Sequence, residues 1–146
     1  MNQDDFMTDR VNDQISWYDK KSRSNQKWYK ILRITEIILA AAIPFLAGYI
    51  SEDILVIKII IGLLGVIIAI VAAIIGLFQF QENWVEYRTT CESLKHEKYL
   101  FMTKAEPYNI DEAFQLFVKR IESLISSENT KWSQYIKSRK KERKNG

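Results

Sequence analysis

The chain has 146 residues, 47% of them hydrophobic and 27% charged, with a net charge of +3. That length suits one domain or one compact membrane unit, and a single cysteine, Cys91, excludes an intrachain disulfide. A mean hydropathy of −0.18 averages two unlike parts: charged flanks, and an apolar stretch concentrated between Ile31 and Phe80.

Residues 1–10 carry Asp4, Asp5 and Asp9 and little apolar material, and read as a mobile N-terminus. The acidic start MNQDDF lacks the basic leader and small-residue cleavage site of a signal peptide. From Val11 the pattern turns helical. Val11, Ile15, Tyr18, Ser22, Asn25, Tyr29 and Leu32 recur in steps of four and three, a heptad seam with a polar middle. Residues 11–30 therefore read as a cytoplasmic helix that continues into the membrane, with no Pro or Gly to interrupt it.

Two apolar runs follow, 31–50 and 54–80, separated by Ser51, Glu52 and Asp53. A helix needs about 20 apolar residues to cross a hydrocarbon core of ~30 Å. Both runs have that length, and the three-residue break reads as a tight external turn. The expected architecture is all-α: an integral membrane hairpin of two transmembrane helices, with cytoplasmic helical extensions forming an oligomeric bundle. A soluble fold this small has too little other mass to surround about 50 apolar residues. Pro44 is expected to kink the first span. Small residues at Ala40, Ala41, Ala42, Ala47 and Gly48, and at Gly62, Gly65, Ala69, Ala72, Ala73 and Gly76, suit close helix–helix contact. Lys58 lies near a helix end, where its ammonium can snorkel to the headgroups.

Basic residues set the orientation. Seven precede or open the first span, thirteen follow the second, and the only charges in the turn are those of Glu52 and Asp53. The positive-inside rule then places both termini in the cytoplasm. Trp28, Tyr29, Phe80 and Trp84 fall at the inner boundary and Tyr49 near the outer one, as aromatic belts do.

Beyond the bilayer, Phe80, Trp84, Tyr87, Cys91, Leu94, Lys98 and Phe101 step 4-3-4-3-4-3 along a helix over 81–105. Pro107 disfavours helix at Glu106. Asn109 and Glu112 then form a capping-box pattern at the start of a last helix, 109–137, with an apolar stripe of Ile110, Phe114, Phe117, Ile121, Leu124 and Ile125. Trp132 and Ile136 extend it. The tail, 138–146, is basic and suited to anionic inner-leaflet lipid, at ~1 kcal/mol per charge, or simply to solvent.

No catalytic constellation is expected, and so no enzyme. His96 is the single histidine and lies five residues from Cys91, on another helix face. There is no phosphate-cradling glycine loop and no metal-ligand spacing, so no cofactor, metal or nucleic-acid partner is expected. Glu36 stands out, an ionisable residue a turn or two inside the first span. Two readings stand: an interfacial pair with Arg33 at i, i+3, or a carboxylate facing a cation-attracting pore built from several copies. Thr35 is its neighbour, and Gln79 is the polar side chain at matching depth on the second span.

The segments WYDKKSRSNQKWY (17–29), AAIPFLAG (41–48), WVEYRTTCESLKHEKYLF (84–101), Pro107-Tyr108 and RIESLISSENTKW (120–132) resemble the SLATT group. These are bacterial two-transmembrane proteins associated with nucleotide-signalling conflict systems, overlapping a large family of unknown function. The most specific part is Trp84, Tyr87, Arg88, Glu92, Leu94, Lys95 and Glu97, followed by Tyr108, Glu122, Glu128 and Trp132. The resemblance implies a homo-oligomeric, pore-forming assembly in the bacterial plasma membrane, without catalytic residues. Arg88, Glu92 and Lys95 are expected to stabilise the cytoplasmic bundle, and Trp84 and Trp132 to anchor packing. A non-conducting, membrane-anchored scaffold for a cytosolic partner is the alternative to a pore.

Overall fold

The computed structural model describes residues 2–48 and 55–127. The turn at 51–53, Trp132, Ile136 and the basic tail lie outside the described residues. Among those described, every regular element is helical. A short helix α1 (Gln3–Asp5) passes through a π-helical stretch, Phe6–Asn12, into α2 (Asp13–Ala47). Then come α3 (Leu55–Phe78) and α4 (Phe80–Met102), and a helix α5 described over 113–127.

The chain divides into two compact units. One comprises the residues up to Lys20 together with those from Tyr87 onward; the other is Lys21–Glu86.

The first unit has a closed apolar core. Val11, Cys91, Leu94, Phe117 and Ile121 are fully buried, and Tyr18 and Tyr108 nearly so. Val11, in the π-helical stretch, and Tyr18 of α2 are seam positions, as are Cys91 and Leu94 of α4, while Phe117 and Ile121 belong to the apolar stripe of α5, so the 3.5-residue period did select the packing face. Tyr108 comes from the irregular chain between α4 and α5. The centre is aromatic. Phe101 stacks on Phe117 at 4.3 Å between centroids. Tyr108 and Phe6 meet the Phe117 ring edge-on at 5.8 and 6.1 Å, the offset and edge-to-face geometries that the ring quadrupole favours.

Phe6 corrects the sequence reading of the N-terminus. Residues 1–10 look too acidic to fold, yet Phe6 is buried in this core and Met7 packs against it. One large ring outweighs three aspartates because the aspartates point outward, exposed.

The boundary after α4 also differs from expectation. The helix stops at Met102 rather than near Ala105. Lys104 adopts φ 52°. Its N–H donates to the Phe101 carbonyl at 3.2 Å, and Ala105 N–H donates to Leu100 at 3.1 Å. This pair of bonds is a Schellman termination, with lysine where glycine is usual. Residues 103–112 form turns and irregular chain, and α5 is described from 113, four residues later than the Asn109 pattern suggests.

In the second unit the α2 seam carries on at the same step. Ser22, Asn25, Tyr29, Leu32, Glu36, Leu39, Ile43 and Leu46 are buried or half-buried. On α3, Ile57, Ile61, Leu64, Ile68, Val71 and Ile75 follow the same rule. The remaining faces are apolar and open: Ile38 is 62% exposed, Leu63 58% and Leu77 74%. The stretch Leu55–Met102 is long and apolar enough to cross a membrane, its most apolar part having a mean hydropathy of 3.1 and lying largely open. It is interrupted at Gln79, which has φ 49°. There the Asn83 side-chain amide donates to the Phe78 carbonyl at 3.0 Å. The described part of the first apolar run carries Arg33 and Glu36, with Lys30 just before it, and α3 with its continuation is the one described helix that meets the length and composition of a span.

The small residues of α3 make no close contact among the described residues. A Cβ added at Gly62, Gly65 or Gly76 would meet nothing within 4 Å, and Ala69, Ala72 and Ala73 are exposed. The close contact expected of them is not made by this chain's own described residues.

Candidate functional site

Two groups of polar residues are candidates. The first lies on α2 and at the end of α3. Glu36 falls on the seam because it sits four residues after Leu32 and three before Leu39. Arg33, one turn earlier, reaches it: Arg33 Nη1 donates to Glu36 Oε2 at 2.8 Å. The Glu36 side chain is 19% exposed and that of Arg33 51%, so the carboxylate is tucked in and the guanidinium faces out. This is the paired arrangement, one of the two readings open for Glu36. Thr35 Oγ1 donates to the Ile31 carbonyl at 2.8 Å, the back-bond typical of helical threonine, so its hydroxyl serves its own helix. Gln79 lies at the break between α3 and α4.

The second group lies in the first unit. Glu92 sits between two cations: Arg88 Nη2 approaches at 2.9 Å and Lys95 Nζ at 3.1 Å. Arg88 Nη1 also reaches Asp19 Oδ1 of α2 at 3.6 Å. The hydrogen bond to Glu92 holds the Lys95 ammonium above its usual pKa. Tyr87 packs at the edge of the core, Leu94 lies within it, and Trp84, in the second unit, is half-buried, its carbonyl accepting a long 3.5 Å bond from Ser22 Oγ. Trp132 lies outside the described residues. Arg88, Glu92 and Lys95 thus form an ion-pair network on a helix surface.

Three further links join distant parts of the chain, and periodicity alone does not reveal them. Arg10 makes a two-pronged pair with Glu122, Nε to Oε1 at 2.8 Å and Nη2 to Oε2 at 2.9 Å. The Arg10 hydrogen bond pulls the Glu122 carboxyl below its usual pKa and raises Arg10. Lys98 Nζ donates to Asn12 Oδ1 at 2.7 Å. Glu97 accepts from both Arg120 Nη1, at 3.0 Å, and the Tyr108 hydroxyl. Burial, then the Glu97 contact, pushes the Tyr108 phenol up.

A groove of about 570 Å³ runs along this surface, lined by Arg88, Thr89, Glu92, Ser93, His96, Glu97 and Leu124. Its carboxylates are taken by the cations just described. Cys91 is fully buried while His96 is exposed, so the two cannot act as a thiolate–imidazole pair. Burial pushes the Cys91 thiol up, the opposite of what a nucleophile requires. Among the described residues no group of His, Cys, Asp and Glu could hold a metal ion.

A known family matches the chain over residues 13–114, the one described as a protein of unknown function, DUF4231. The chain belongs to the DUF4231 family. The DUF4231 match runs from the first residue of α2 to Phe114 at the start of α5, so it takes in the paired Glu36, the Arg88–Glu92–Lys95 network and the apolar helix α3. Arg10 and Glu122 fall outside it. No curated protein and no solved structure matches the chain.

Proposed function

We propose that this DUF4231 protein is a two-span membrane protein that self-associates into an ion-conducting assembly, with both termini cytoplasmic. The observation that carries the proposal is the outer surface of α3. Apart from Lys58 it is apolar and open, and it is grooved by Gly62, Gly65 and Gly76, none of which has a neighbour near its missing Cβ among the described residues. Glycine inside a helix costs about 1 kcal/mol relative to alanine. Three such positions without a close neighbour among the described residues fit close approach of another helix in lipid, where small residues let backbones meet. Two spans cannot enclose a passage, so conduction requires several copies. The resemblance to the SLATT group points the same way, and supplies the expectation of a bacterial plasma membrane location and an effector-like role. In this reading the Arg33–Glu36 pair lies at the passage entrance, Thr35 and Gln79 line it, and the first unit serves assembly and gating.

The same ion pair favours a second reading. A carboxylate already neutralised by Arg33 at 2.8 Å is a poor cation attractor, and a non-conducting anchor that recruits a cytosolic partner needs none.

Flux through liposomes containing the purified full chain separates the two. Conduction above protein-free background, with cation preference altered by Glu36→Gln, supports the pore. Absence of flux in chains shown to be inserted and associated supports the anchor. A change at Lys58→Gln as large as that at Glu36→Gln would remove the special role given to Glu36.

A further inference from the structure

One face of α2 changes character along its length, and it is the face turned away from the seam. Arg23, Lys27, Lys30, Ile34 and Ile37 follow in steps of four, three, four and three, so they form a single stripe. All five are exposed. The seam residues Ser22, Asn25, Tyr29 and Leu32 are buried or half-buried on the opposite side. The stripe is cationic up to Lys30 and apolar after it, with Ile34 56% and Ile37 61% exposed. From Lys20 to Thr35 the chain has no acidic residue. Trp28, beside Lys27, is itself 54% exposed.

We infer that the cationic part of this stripe, Arg23, Lys27 and Lys30, is a binding surface for anionic phospholipid headgroups. The inference rests on the membrane reading above. Position supports it: at 1.5 Å per residue, Lys27 lies ~4.5 Å and Arg23 ~10 Å along the helix from Lys30, while the headgroup layer on each side of a bilayer is roughly 5–8 Å deep. Lys27 and Lys30 fall in that layer, and the long Arg23 side chain reaches its edge. Charge supports it as well. The ammonium and guanidinium groups complement phosphate, and juxtamembrane cations attract anionic lipid at short range. The apolar continuation at Ile34 and Ile37 matches the acyl chains of the same lipid, which an acidic soluble partner would lack. Trp28 occupies the interfacial depth that indole rings prefer.

Trp28 also provides the probe. The full chain, with Trp17, Trp84 and Trp132 changed to Phe, is reconstituted in equimolar phosphatidylglycerol and phosphatidylcholine, with bromine on the chains of one lipid or the other. Bromine quenches indole on contact. Quenching roughly twofold or more stronger with brominated phosphatidylglycerol is expected, shrinking in about 0.5 M salt and vanishing in the Arg23→Gln, Lys27→Gln, Lys30→Gln variant. Equal quenching in the unsubstituted stripe would overturn the inference and leave the face to an acidic protein. A preference that survives the triple substitution would overturn it too, assigning the selectivity to another cationic segment. If neither brominated lipid quenches Trp28, the membrane reading fails with it. The unsubstituted chain gives a check that needs no tryptophan replacement: lipid retained through detergent extraction from the same mixture is expected to be enriched in phosphatidylglycerol, and less so in the triple variant.

Discussion

The two units use the same residue types for opposite purposes. Ile121, in the core of the first unit, is fully buried, whereas Ile38, in the second, is 62% exposed. Leu94 is fully buried and Leu63 is 58% exposed. In the first unit, charge decorates the outside and apolar groups fill the inside. In the second, a narrow seam is covered and the remaining apolar faces are left open. Burying apolar surface yields about 25 cal/mol per Å², so an aqueous protein does not leave so many isoleucines outside. Lipid would remove that penalty, and under the proposed membrane reading the contrast between the units is one between two solvents.

The largest expected effect that sharpens this contrast is in the aromatic core. Phe117→Ala removes the ring stacked on Phe101 and touched edge-on by Phe6 and Tyr108. It is expected to lower the stability of the first unit by ~3–5 kcal/mol. Leu63→Ala on the open face of α3 is expected to change that stability by less than ~0.5 kcal/mol. Denaturant unfolding in detergent, followed by near-ultraviolet dichroism, measures both, and equal losses would erase the distinction.

Next is thiol reactivity. Cys91 is fully buried and its Sγ lies 3.6 Å from the Ile15 carbonyl. Alkylation of the native chain is expected to be slower than that of the unfolded chain by more than about tenfold. A Ser51→Cys thiol can then be labelled selectively without replacing Cys91. Labelling of that thiol from outside the cell supports the proposed topology, and labelling exclusively from inside reverses it.

Smaller effects test individual links. Lys104→Gly relieves a left-handed backbone at φ 52° and is expected to add ~0.5–1 kcal/mol to the first unit. The Arg10–Glu122 pair is smaller still. Its side chains are 40% and 44% exposed, so solvent screening limits it to about 0.5 kcal/mol. The Glu122 carboxyl is held below its usual pKa by Arg10. Its contribution is therefore full above the ordinary carboxylate value of about 4.3 and disappears as pH falls through the depressed folded value. Between about pH 6 and pH 3 the native chain should lose more stability than Glu122→Gln, and parallel curves would dismiss the pair.

The sequence made some of this readable and hid the rest for physical reasons. The positions Val11, Tyr18, Cys91, Leu94 and Phe101 were visible because a heptad repeats in the sequence itself. Continuation of the α2 seam through Glu36 was obscured because a carboxylate breaks the apolar pattern while keeping the geometry. Phe6 was hidden among aspartates. The end of α4 was missed because Lys104 takes a backbone conformation that usually advertises itself through glycine. The Arg10–Glu122 pair joins residues 112 positions apart, and no local pattern encodes such a partner. The Arg88–Glu92–Lys95 network was legible because its members lie one turn apart. The role of Glu36 was legible only as two alternatives; the 2.8 Å contact with Arg33 is present, and a pore-facing role is a matter for the flux measurement.

The central claim is that hydrocarbon surrounds the open faces of α3. Spin labels placed one at a time at Leu63, Val66, Ile67 and Ile70 in the reconstituted chain report it directly, through collision with apolar oxygen and with a water-soluble nickel complex. High oxygen and low nickel accessibility at all four sites is the expected result. Labels shielded from both reagents would mean that protein covers these faces, and labels open to nickel would mean that water does; either would contradict the account.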